Sequence, residues 1–136
     1  MRGVAILLAG LIASGEASAQ GKAPYPDVFV EKIFEEDLAA VLAQTCPLLA
    51  TNFPGLERHR SSAIAEMSDR GHHARSFAEH FAPIQPERFT PLRQAFLGKH
   101  SLTAHSADAA FCEAGAVEVS ERSAIGLLLM PVKETD

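Results

Sequence analysis

The sequence predicts an all-α fold, a small single-domain bundle of four to five helices with one long-range disulfide. Three observations predict it. Apolar residues recur three and four positions apart along most of residues 27–129, the spacing of one helix face. No stretch alternates convincingly with period two, so no strand is expected. The chain also holds two cysteines, Cys46 and Cys112, behind a leader that points to an oxidising compartment.

The leader is residues 1–19. Arg2 gives a short basic start, Val4 to Ala13 is an apolar run, and Ala17-Ser18-Ala19 supplies small residues. The run falls short of the roughly 20 residues that span a bilayer. The pattern is that of a secretory signal peptide, cut after Ala19. Residues 20–136 then form a single helical domain with loose ends at 20–26 and 131–136. The expected location is the periplasm. In such a compartment two cysteines in a small domain usually pair. Two inert buried thiols or a reactive pair are the alternatives. Neither CxxC nor CxxCH spacing occurs.

Asp27 is placed to cap the first helix, whose inner face is Val30, Ile33, Phe34, Leu38, Val41 and Leu42. Thr45-Cys46-Pro47 breaks it, and Pro47 fits the first turn of a second helix running to Arg70. Pro54 should kink or split that helix near Asn52, and Gly71 should end it. A short third helix turns Phe77, Phe81 and Ile84 inward. Thr90-Pro91 reads as an N-cap with proline at the next position, opening a fourth helix on Leu92, Phe96 and Leu97. Gly98 to Asp108 is a polar connection. Phe111 to Leu129 reads as one last helix.

On a wheel, Cys112, Gly115, Ala116, Val119, Ser123, Gly126 and Leu127 share one stripe of mostly small residues. Gly115, Ala116, Ser123 and Gly126 are thus expected to form a close-packing face, letting the Cys46 junction approach Cys112 at disulfide distance. A groove for a partner helix or ligand is the functional alternative. Glu118, Glu121 and Arg122 fall on a separate charged arc, with Glu118 and Arg122 at a favourable spacing.

This helix also carries a resemblance. Cys112, Gly115, Glu118, Ser123, Ile125, Gly126, Leu128 and Leu129 are spaced like the C-terminal signature of a family of small exported proteins from Rhodobacterales-type alphaproteobacteria, domain of unknown function 5333. Thr45-Cys46-Pro47 is similar to that family's N-terminal signature, and Gly71 to its mid-chain glycine. The resemblance covers most of residues 20–136 and is specific at the two ends. His72-His73 stand where the family pattern has an aromatic and a helix cap, and Pro54 is atypical. The resemblance implies a helical fold and a paired cysteine. It implies no assigned activity and no catalytic residue.

Composition narrows function by exclusion. A net charge of −5 gives no basic footprint for nucleic acid, and no membrane span follows the leader. The chain has six histidines. His73 and His80 could align over two helical turns, so His72, His73 and His80 are the candidate metal ligands. Solvated surface histidines are the plainer reading. Glu35, Glu36 and Asp37 read as a solvated acidic run, and Glu113, Glu118 and Glu121 as surface charges. GxSxG is absent and no Ser/His/Asp grouping stands out. No cofactor and no catalytic residue are implied. The expectation is a soluble, non-catalytic periplasmic protein acting through contacts with another periplasmic protein. The alternative is weak metal or small-ligand binding in the His72/His73/His80 region.

Overall fold

The computed structural model describes residues 21–134. Five helices carry the fold: α1 (Asp27–Thr45), α2 (Phe53–Asp69), α3 (Phe77–His80), α4 (Thr90–Lys99) and α5 (Asp108–Glu121). Two short strands, β1 (Leu49–Thr51) and β2 (Leu129–Pro131), pair antiparallel with Leu49 opposite Pro131 and Thr51 opposite Leu129. No helix among the described residues is long and apolar enough to cross a membrane. The leader lies outside the described residues.

α1 is the central element. It buries Val30, Ala39 and Leu42. Leu42, Cys46, Leu49, Phe96, Ala114, Leu128 and Leu129 belong to one core cluster. Val41, expected on the inner face, is exposed, and so is Phe53 at the start of α2. Asp27 does not cap α1. Pro26 holds that position without a side-chain bond, and the Asp27 carboxylate instead accepts from Arg88 at 2.7 Å. Cys46 ends α1 in an extended conformation, the region imposed on a residue that precedes proline.

Pro47 does not open a helix. It lies in a turn closed by Leu49 N–H to the Cys46 carbonyl at 3.1 Å, which delivers the chain into β1. The break near Asn52 is real. Asn52 is the N-cap of α2, its Oδ1 accepting from Gly55 N–H at 3.3 Å, with Pro54 in the first turn, where its missing donor costs nothing. The sequence shows no strand here because three residues are too few for an alternation to register.

Three helices end alike. Gly71 N–H reaches the Ser68 carbonyl and His72 N–H reaches Met67, a Schellman end with Gly71 at φ 86°. Ser101 and Arg122, both at φ 54°, close α4 and α5 with the same bond pattern. A side chain in that left-handed region costs roughly 1–2 kcal/mol. Arg122 therefore breaks the single helix expected over Phe111–Leu129. α5 stops at Glu121, and Gly126–Leu128 forms a separate 3-10 turn leading to β2. α4 likewise starts differently, because a 3-10 turn over Pro86–Phe89 runs into it and Thr90 is its first residue rather than its cap.

Order reaches further toward both ends than the sequence suggests. Ala23 forms a bridge with Phe81, and Tyr25 stacks on Phe29 and Phe81 with ring centroids 4.9 and 4.5 Å away. Val132 N–H donates to the Leu48 carbonyl at 2.9 Å.

Candidate functional site

The disulfide is present. Cys46 and Cys112 are bonded, with Cα atoms 5.4 Å apart, fastening the end of α1 to the first half of α5. Gly115, one turn further on, packs against the same junction. A Cβ there would lie 2.7 Å from Leu49 Cδ1 and 3.5 Å from Leu42 Cδ1. The close approach expected of Gly115 is therefore made to the Cys46–Leu49 turn.

The rest of the small-residue face is not one helical stripe. Ala116 is exposed and lines a groove. Ser123 and Gly126 lie beyond the helix end, in the turn that folds back over α5. Gly126 N–H donates to Ser123 Oγ at 3.0 Å. A Cβ on Gly126 would collide with the backbone of Glu118 and Val119. That backbone cannot yield cheaply, whereas Leu49 Cδ1 beside Gly115 is a flexible side-chain end. Gly126→Ala is therefore expected to cost about 2–3 kcal/mol and Gly115→Ala about 1 kcal/mol, read as urea midpoints.

That turn covers Glu118, expected on the surface and found only 2% exposed. Its partner is not Arg122. Oε1 accepts from Lys99 Nζ at 2.7 Å and from His100 Nε2 at 2.6 Å, and Oε2 accepts from Ser123 Oγ. Burial pushes this carboxyl up. Hydrogen bonds from Lys99, Ser123 and His100, with the Lys99 charge, outweigh that and hold it below its ordinary range. The same bonds raise Lys99, which also binds Glu121 at 2.7 Å. The carboxylate stands between hydroxyl and imidazole, so Ser123 donates to Glu118 rather than to a histidine. This is not the serine–histidine–carboxylate order of a hydrolase. It ties α4, α5 and the C-terminal turn together.

The acidic run on α1 is also only partly solvated. Asp37 is exposed, but Glu35 lies 3.5 Å from His59 Nε2, whose Nε2 also contacts the Lys32 carbonyl at 3.0 Å. Glu36 accepts from Arg60. Burial raises the Glu35 carboxyl, and the neighbouring His59 offsets part of that.

The expected histidine set comes together only in part. His72 and His80 approach with ring centroids 5.9 Å apart, and His72 meets the Phe81 ring edge-on at 4.7 Å. His73 is the exposed residue before the turn into α3. Among the described residues no three His, Cys, Asp or Glu side chains gather as a metal-holding group. His72 is accounted for as part of an aromatic cluster with Tyr25, Phe29, Phe77 and Phe81.

Among the described residues the groove beside the disulfide is a large and mostly apolar cavity. It holds about 580 Å³ between the Cys46–Leu49 turn, α5 and the end of β2. Cys46 and Cys112 form part of its wall, with Leu48, Leu49, Val119 and Val132, and Glu113 is its one charged side chain. Leu48 and Val132, which line it, are 53% and 44% exposed, so large apolar side chains face solvent here. Cys112, Ala116 and Val119 of the small-residue stripe line this groove, but its other wall depends on a strand pair three residues long, which the sequence does not show. The exposed Leu48 beside Pro47 was the available signal. Compared with family models, curated proteins and solved structures, the chain gives no match.

Proposed function

We propose that this is an exported, non-catalytic binding protein that acts through protein contacts at the groove beside Cys46–Cys112. The groove itself carries the reading. It is walled by a covalent cross-link and lined by exposed Leu48 and Val132. Contiguous apolar surface beside a pocket marks contact sites. The occupant is an apolar segment of a partner chain bearing one basic residue, which would meet Glu113 in an otherwise uncharged groove. Export is supported by the leader pattern and is compatible with the disulfide. The residues at both signatures, Thr45-Cys46-Pro47 and Cys112 to Leu129, favour membership of domain of unknown function 5333.

Selection from a displayed random-peptide library tests the function. Enriched peptides should be apolar with one Lys or Arg. Leu48→Glu, a change at a half-exposed position, should weaken them about tenfold, or 1.4 kcal/mol. Glu113→Gln should weaken them less and reduce their salt dependence. No enrichment, or binding indifferent to Leu48→Glu, counts against the reading. Displacement of a bound apolar dye by small apolar molecules, without peptide enrichment, would make this a small-ligand site instead.

A further inference from the structure

A second cavity, sharing no lining residue with the groove, has the opposite character. It holds about 520 Å³ between α1, α2 and the turn after α5. Three basic side chains from those three elements line it: Lys32, Arg58 and Arg122. Glu35 is the one carboxylate among its lining residues. This gathering runs against a chain in which 17 acidic residues outnumber 12 basic ones.

Four basic residues elsewhere are spent on structure, and what sets the three cations apart from others unpaired among the described residues, such as Arg75 and Arg93, is that they share one cavity. Arg60, Arg70, Arg88 and Lys99 each hold a carboxylate. Among the described residues, Lys32, Arg58 and Arg122 make no ion pair. Glu35 is instead within reach of His59, on the same cavity wall. The cavity therefore has cationic donors to spare.

Arg122 adds an independent observation. It occupies the left-handed conformation that ends α5, φ 54°, where glycine is the usual residue. A glycine there would relieve the backbone, but it would remove the guanidinium from the cavity. Strain kept at a residue that lines a cavity points to use of its side chain. The remaining wall includes exposed Ala124 and Leu127, so the site pairs cations with an apolar surface.

We infer that this cavity binds a small organic carboxylate with an apolar body, held by Arg58, Arg122 and Lys32. Guanidinium groups fork onto carboxylate oxygens and fix their orientation, and the cavity lies within the range of small-molecule sites. Ala124 and Leu127, both exposed, take the hydrocarbon.

Calorimetric titration with octanoate tests this, with octanol and inorganic phosphate as the separating probes. Octanoate should bind in the millimolar range or tighter, with octanol and phosphate each at least about tenfold weaker. Arg58→Gln and Arg122→Gly should each weaken octanoate about tenfold. Arg122→Gly should at the same time raise the midpoint of thermal unfolding by a few degrees, which separates lost binding from lost folding. Arg75→Gln, an exposed change away from this cavity, should leave binding unchanged. Octanoate binding that survives both arginine changes, equal binding of octanol, or no heat at about 10 mM octanoate would each overturn the inference. Phosphate binding as well as octanoate would reduce the site to a general anion pocket and overturn the carboxylate assignment.

Discussion

Replacing Cys46 and Cys112 together by alanine is expected to lower the free energy of unfolding by about 4 kcal/mol. The bond closes a 66-residue separation that contains β1, α2, α3 and α4. Its loss returns that length of chain to the unfolded ensemble as free conformational entropy. A domain of this size loses about 4 °C of Tm per kcal/mol, so the unfolding midpoint should fall by about 15 °C. The native side contributes too, since Cys46 is 2% exposed and the sulfurs help wall the groove. The double change is cleaner than a single serine, which would leave a lone thiol free to cross-link two molecules. Unfolding the wild type in urea with and without reductant should reproduce the difference. Oxidised protein should show no free thiol by mass spectrometry. A double variant within about 1 kcal/mol of wild type would mean that the helical core carries the fold unaided.

The same bond shows why part of this molecule could be read from its sequence. The helices α1, α2 and α4, the break at Asn52 and the Gly71 end all follow from local rules, while the cysteine pair follows from there being two cysteines behind an export leader. Apolar period, proline position, a capping side chain and a glycine after the last turn lie within a few residues of one another. The misreadings have the opposite origin. Arg122 ends α5 in a conformation that its own residue type disfavours, so the sequence pattern runs on to Leu129 without a stop signal. With the helix extended, Glu118 fell on a solvent arc beside Arg122. In the structure the chain turns at Arg122 and closes over Glu118, and Lys99 and His100 arrive from α4, about 20 residues earlier in sequence. Pairing of β1 with β2 joins Leu49 to Pro131, a contact that no local window contains. Ser123 and Gly126, so close behind Glu118, mark the turn once the helix is known to stop.

Glu118→Ala is expected to cost about 3–4 kcal/mol, within the range for removing one partner of a buried ion pair. His100, its side chain 7% exposed, would lose its acceptor, and Ser123 Oγ would keep only its longer bond to the Glu118 carbonyl at 3.4 Å. Lys99 is 43% exposed and keeps Glu121, so it can rehydrate, which holds the cost below the top of that range. Glu118→Gln keeps the shape and one acceptor oxygen and should cost about half as much. Acidity separates the two roles of charge. The Glu118 carboxyl is held below its ordinary 4.5, so its ionised form favours folding. That contribution is complete above about pH 4.5 and is lost as pH falls through the lower folded value. Glu35 is shifted the other way, raised above 4.5 by burial. Its ionisation opposes folding above that raised value, and the penalty is relieved as pH falls toward 4.5. Urea midpoints measured from pH 7 to pH 3 should therefore gain slightly from Glu35 and then fall with Glu118. Glu118→Gln should flatten the fall below pH 4.5, and Glu35→Gln should remove the gain above it. A Glu118→Gln profile parallel to wild type below pH 4.5 would show that this carboxylate does not stabilise the closed turn by its charge.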